Sequence, residues 1–291
     1  MIQSLPDIIA GTSELRSLPA TTLRLLGLLD DATVGADEVL DIIRTDPSLT
    51  ANLLKLCNSA YFGVRRQVGS IRQALVLLGN QTVINLAFAT SMGDILRGPL
   101  GGYHMERNAL WHHALGTAMG AAHLASLQGD TAAPERAFTG GLVHDIGKLL
   151  LNGPLMQELV QLPPLADRTA LLAAEVSILG FDHAMAGAAL AEAWNFPTIL
   201  VQLIATHHLP GPEAADWQDL PAEVRDLARA VGGANLVAGH CGFGGGSRGL
   251  TAAELDTALT PLGYDPAVVH DLAARLPQDL DNMLSVIGES R

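Results

Sequence analysis

The chain has 291 residues, of which 48% are hydrophobic and 16% charged; this composition excludes disorder and suggests one large or two ordinary domains. Its net charge of −13 is unevenly spread: residues 1–100 hold 8 Lys/Arg against 9 Asp/Glu, a net of −1, and residues 101–291 hold 9 against 21, a net of −12. An acidic second half argues against a broad nucleic-acid or anionic-membrane face, which needs clustered basic residues, and aromatics at 4% leave little for stacking on single strands.

The N-terminus "MIQSLPDIIAGTSELRS" lacks a basic stretch followed by an apolar one, so no signal peptide is expected. The first clear helix is "TDPSLTANLLKLCNSA", where Asp46 can cap, Pro47 suits the first helical position, and Leu49, Leu53 and Leu56 recur at helical spacing. "SIRQALVLLGNQ" opens with Ser70 and Gln73 at capping-box spacing and presents Ile71, Leu75 and Leu78 on one face. Gly79 is expected to end that helix and Asn80 to cap the next. In "CNSAYFG", Asn58 and Ser59 read as a buried turn cap. Further helices are expected over Asp37–Arg44, Met105–Ala125, Pro134–Leu151, Thr169–Leu179, His183–Trp194, Pro197–His207 and Pro221–Ala238. No segment sustains period-2 alternation, so the fold class is all-α. Gly and Pro cluster in "LRGPLGGYH", which suggests two helical lobes: 1–100, and 101–291 with a C-terminal helical extension.

The longest uncharged runs, Gln73–Gly93 and Ala109–Gly129, are interrupted by polar residues or carry histidines, and neither reads as a membrane span. Cys57 and Cys241 lie in unrelated contexts and indicate no disulfide framework. A soluble cytoplasmic protein is the expectation.

The chemistry concentrates in the histidines. Nine of the ten lie between residues 103 and 241. In "FTGGLVHDIGKLLLNG", read as one helix, Leu142, Ile146, Leu149 and Leu150 share a face, and His144, Asp145 and Lys148 lie on the other side. Imidazole and carboxylate are ligands for divalent metals, and a carboxylate can bridge two; a lysine ammonium can hold a phosphate oxygen as a point charge. A solvated polar face is the plainer reading of that helix alone. However, "LWHHALGTA", "GFDHAMAGAAL" and "IATHHLPGP" add His112 and His113, His183, and His207 and His208 on separate helices. Glu175 and Asp182 read as solvated charges rather than outer partners of a ligand. His104, His123 and His270 carry no partner pattern.

This order, a histidine, then "HD", then later histidines, resembles the HD metal-dependent phosphohydrolase superfamily. More closely, residues 12–210 resemble the HDOD domain (HD-related output domain) of bacterial signalling, through "LPATTLRLLGLL", "TDPSLTANLLKLCNSAYFG" and "SIRQALVLLG" in one lobe, and "LWHHALGTA", "GLVHDIGKLLL", "EVSILGFDHAMAGAALAEAWNFP" and "IATHH" in the other. The resemblance implies a second lobe that is an HD-type helical bundle. By comparison with the HD-GYP phosphodiesterases, which cleave cyclic di-GMP at a carboxylate-bridged metal pair, His113 matches the first ligand and His144 and Asp145 the HD pair. Lys148 matches the lysine that follows, and His183, His207 and His208 the later histidines. Asp145 and Lys148 would be the catalytic groups. Two departures stand out: Asn235 occupies the place of the final aspartate ligand, and "HHLPGP" lacks the Gly-Tyr-Pro signature. One metal position looks whole (Asp145, His183, His207, His208), and the other keeps His113, His144 and Asp145 and lacks its last carboxylate; His240 could substitute, but a surface histidine near a loop is the plainer reading of it.

The resemblance therefore implies a signal-transduction output or adaptor protein that binds a signalling protein partner and retains one or two divalent transition metals: iron, manganese, nickel or zinc. The alternative is a metal-dependent phosphohydrolase or phosphodiesterase acting on a phosphate-containing small molecule, a nucleotide or cyclic dinucleotide. A helical module without metal is a third reading. No nucleic-acid or membrane partner is expected.

Overall fold

The computed structural model describes residues 4–12, 18–29, 33–64, 66–127, 133–158, 168–208, 215–244 and 249–289. The fold is all-α: the described residues form helices and turns, with one isolated bridge between Leu100 and Met105. Two compact units are discontinuous in sequence, where the expected division near residue 100 is a single cut. One joins Leu18–Ile95 to Arg275–Arg291, and the other joins Leu96–Ala274 to Met1–Ser17. No single helix among the described residues is long and apolar enough to cross a membrane.

After α1 (Leu5–Gly11), the unit built on Leu18–Ile95 carries α2 (Ala20–Leu26), α3 (Ala36–Ile43), α4 (Pro47–Cys57), α5 (Ile71–Leu78) and α6 (Asn80–Leu96, its last residue across the unit boundary). The cap of α4 is as the sequence suggests, with the Asp46 carboxylate accepting the Leu49 N–H at 3.0 Å. Ser70 accepts the Gln73 N–H in α5, and Gln73 reaches back to the Gly69 N–H. Asn58 staples two segments: its amide donates to the carbonyls of Leu54 and Val68 and accepts from the Val68 N–H. Gly79, at φ 83°, ends α5, but Asn80 is not a cap. Its side chain donates to the Val34 carbonyl at 2.8 Å, fastening α6 to the segment before α3.

The other unit holds α7 (Ala109–Ser126), α8 (Ala133–Val143), α9 (Gly147–Glu158), α10 (Arg168–Leu179), α11 (His183–Ala193), α12 (Thr198–Thr206), α13 (Ala215–Gln218), α14 (Ala222–His240), α15 (Ala252–Leu259) and the start of α16 (Pro266–Ile287). α7 is buried along nearly its whole length, as apolar and small residues on all of its faces allow. It begins at Ala109 rather than Met105, because Met105 bridges to Leu100 and Asn108 adopts a left-handed φ of 69°. α8 and α14 lie against it. A Cβ on Gly141 would stand 2.6 Å from the Ala118 Cα, so only glycine permits the approach of α8 to α7.

The expected helix over Pro134–Leu151 is two helices. The chain turns at His144–Ile146 between α8 and α9, closing i to i+3 bonds from Ile146 to Val143 and from Lys148 to Asp145. The close approach of α9 to α11 accompanies this break: a Cβ on Gly147 would run into the carbonyl of His183. The solvated polar face read from a continuous wheel is therefore corrected. His144 and Asp145 sit on a buried turn.

Candidate metal centre

Five helices bring their polar residues to one place. His113 comes from the second turn of α7, His144 and Asp145 from the α8–α9 turn, and Lys148 from the first turn of α9. His183 opens α11, and His207 and His208 follow α12. His113, His144, Asp145, His183 and His207 are buried, and His208 is half-buried.

Four of the five imidazoles are anchored through Nδ1. His113 donates to the Phe243 carbonyl at 3.1 Å, His144 to Gly141 at 2.7 Å, His207 to Ile204 at 2.7 Å, and His183 to both oxygens of Glu175 at 2.8 Å. Carbonyls and carboxylates only accept, so Nδ1 carries the proton and Nε2 presents a lone pair. His208 Nε2 lies 2.8 Å from His183 Nε2. Two lone pairs cannot face each other at that separation, so a proton or a shared cation belongs between them.

The Nε2 atoms converge on Asp145, whose two oxygens face different partners. Oδ1 is 3.2 Å from His183 Nε2 and 3.6 Å from His207 Nε2. Oδ2 is 3.4 Å from the Nε2 of both His113 and His144 and 2.6 Å from Lys148 Nζ. Two groups of ligand atoms each lie within 4.8 Å of one another: His183, His207 and His208, and His113, His144 and Asp145. Atoms bound to one metal at about 2.1 Å stand about 3–4 Å apart, so both groups fit a divalent ion. The buried Nε2 atoms of His144 and His207 have no hydrogen-bond partner, a costly arrangement that a metal would relieve.

Burial pushes the His113 imidazolium down to about 3 and His207 down to about 4, despite the neighbouring Asp145 carboxylate. Burial opposes ionisation of Asp145 as well, but His144, Lys148 and His183 together hold it well below the usual carboxylate range. Burial likewise works against a charged His183, but Glu175 and Asp145 together outweigh it, leaving that imidazole above its ordinary value. His113 and His207, held neutral beside an ionised Asp145, are ligands that need no deprotonation near neutral pH before they bind.

Asn235 sits in the middle of α14, half-buried, one turn beyond Val231, and offers a neutral amide. His112 is also buried in α7, and His240, half-buried at the end of α14, bonds the Leu250 carbonyl through Nδ1. Glu175 corrects the sequence reading. It is 1% exposed, accepts from the backbone N–H of His183 and from its Nδ1, and accepts a hydrogen bond from the Tyr103 hydroxyl at 2.8 Å. Asp182 is the N-cap of α11, accepting the Met185 N–H at 2.8 Å. Sequence reasoning misses Tyr103 and the Phe243 carbonyl; the only signal for either is a glycine-rich setting, "GGYH" and "CGFGGG".

Comparison with known proteins bears on this arrangement. A family model for the HDOD domain matches residues 15–210. An uncharacterized protein of Treponema pallidum (strain Nichols) is 29% identical over 227 residues, 77% of this chain and 42% of that protein. The chain thus spans less than half the length of this curated relative. Among solved structures, an HDOD domain protein with unknown function from Geobacter sulfurreducens superposes with a TM-score of 0.78 at 24% identity, over 97% of this chain and 96% of that one. A "Putative phosphohydrolase" from Shewanella amazonensis SB2B superposes with a TM-score of 0.71 at 25% identity, over 97% and 98%.

Proposed function

Because the chain belongs to the HDOD family, we propose that it is a cytoplasmic signal-transduction output protein that retains a divalent metal centre and binds a signalling protein. One observation carries the metal reading: the buried, anchored imidazoles of His113, His144, His183 and His207 direct Nε2 toward the single carboxylate of Asp145. Two groups of donors could serve, His183, His207 and His208 on one side of Asp145 and His113 and His144 on the other, and mixed imidazole and carboxylate donors suit iron, manganese, nickel or zinc. For the partner, the unit built on Leu18–Ile95 exposes Val76 at 80% and Leu77 at 55% on α5, more apolar surface on one turn than a helix facing only water needs.

The test is elemental analysis of the purified chain beside a substrate panel. Metal at one equivalent or more, lost in a folded His183→Ala/His207→Ala variant, with no turnover of nucleotides or cyclic dinucleotides, is the expected result. A chain that retains no metal after exposure to any of the four ions ends the metal reading.

A second reading, phosphodiester or phosphomonoester hydrolysis, draws on Asp145 and Lys148. A bound metal supplies a Lewis acid and a hydroxide at neutral pH. Asp145 would orient that ion, and the Lys148 ammonium, 2.6 Å from Oδ2, would steady a phosphoryl oxygen. Metal-dependent turnover on the same panel, abolished by Asp145→Ala, selects this reading.

A further inference from the structure

We propose that the centre holds one metal ion, on Asp145 Oδ1 with His183, His207 and His208, and that the ammonium of Lys148 takes the place of a second. The inference rests on the reading that the His and Asp cluster binds metal, and it fixes the number of ions and what limits it.

The two oxygens of Asp145 are not equivalent. Oδ1 faces two Nε2 atoms and makes no hydrogen bond. Oδ2 already holds a cation, Lys148 Nζ at 2.6 Å. That cation is confined: its side chain is 12% exposed, and Nζ lies 5.8 Å from the centre of the Tyr103 ring, whose hydroxyl is bound to Glu175. A metal on His113 and His144 would have to share Oδ2 with the ammonium, placing two cations on one oxygen atom.

Charge points the same way. With imidazoles neutral, as ligation requires, the site holds Asp145, Glu175 and Lys148, a sum of −1 −1 +1 = −1. One divalent ion brings the sum to +1, which a single hydroxide or phosphate oxygen neutralises. Two bring it to +3 in a buried setting, where uncompensated charge is strongly disfavoured. Glu175 cannot relieve that excess, because both its oxygens serve His183 and Tyr103, and residue 235 is an amide. Lys148→Met keeps an apolar stem and removes the cation. The sum with two ions then falls to +2, and Oδ2 is released to His113 and His144.

The test uses the full chain, stripped with chelator and titrated with Mn²⁺ or Zn²⁺, with bound equivalents read by equilibrium dialysis and folding by circular dichroism. Wild type and Lys148→Arg should each bind one equivalent, Lys148→Met two, and Lys148→Met/His113→Ala one. In the wild-type background, His208→Ala should weaken binding by about tenfold or more, and His113→Ala should leave it nearly unchanged. Two equivalents on wild type, one on folded Lys148→Met, or equal losses in His113→Ala and His208→Ala overturn the inference. The paired single variants decide the matter if Lys148→Met does not fold. No metal on wild type overturns the underlying metal reading and this inference with it, whereas two equivalents overturn this inference alone.

Discussion

A carboxylate as deeply buried as Glu175 is tolerated only when its lone pairs are engaged. Here they meet the His183 N–H, His183 Nδ1 and the Tyr103 hydroxyl. The residue fixes the rotamer and tautomer of a candidate ligand without touching the metal position. Glu175→Ala should therefore lower metal affinity by about 10–100-fold, measured by competition with a chromophoric chelator. It should also lower stability by about 2–4 kcal/mol in urea denaturation, because it strands buried donors. Unchanged affinity in a folded Glu175→Ala protein removes the positioning role. The candidate ligands themselves are legible in the sequence, since each histidine sits in a short stretch with a recognisable order. Glu175 is not, because a glutamate on a helix is ordinarily solvated. Its bond to His183 depends on how the chain reverses between α10 and α11, which no periodicity encodes.

At the level of elements, the informative feature is the turn between α8 and α9. Apolar residues flank it on both sides, so a hydrophobic wheel drawn through it looks continuous. Only the approach of α9 to α11 at Gly147 distinguishes two helices from one. Gly147→Ala would press a methyl group against the His183 carbonyl and the Gly187 nitrogen, both backbone atoms that cannot rotate away. It should cost about 3 kcal/mol or more and weaken metal binding through His183. Gly153→Ala is the control: it lies in the same helix with nothing within 4 Å of the added carbon and should be neutral or stabilising by about 0.5–1 kcal/mol. Matching melting temperatures for the two variants would refute the argument. By contrast, α4 and α5 are legible from end to end, because Asp46, Ser70 and Gly79 form local caps and stops that need no tertiary partner.

For the molecule as a whole, the buried imidazoles tie stability to pH in the metal-free state. His113 and His207 have folded values of about 3 and about 4, against about 6.5 in the unfolded chain. Between pH 6.5 and 4 the unfolded chain therefore binds protons that the folded chain does not, and stability falls as pH falls, by up to about 1.4 kcal/mol per pH unit for each group. His183 runs oppositely: its folded value is raised, so its contribution is present at low pH and lost as pH rises through that value. Asp145 and Glu175 are depressed, and their contributions are lost only as pH falls through their low folded values. Two groups against one give a urea midpoint that drops between pH 7 and 5. The added stability from metal should narrow over the same range, because protons compete for the ligands. A midpoint that is level or rises on acidification would show that the imidazoles are not held neutral.

The discontinuous units carry one further consequence, for the order in which the protein is made. Leu280, Met283 and Leu284 are fully buried, and they belong to the segment of α16 that joins Leu18–Ile95. A ribosome delivers Leu18–Ile95 before that segment, with Leu96–Ala274, which holds the candidate ligands, in between. Domains generally fold as they emerge, but this unit lacks part of its own core until synthesis reaches α16. The surface that presents Val76 and Leu77 is thus completed only on chains that already contain every candidate ligand.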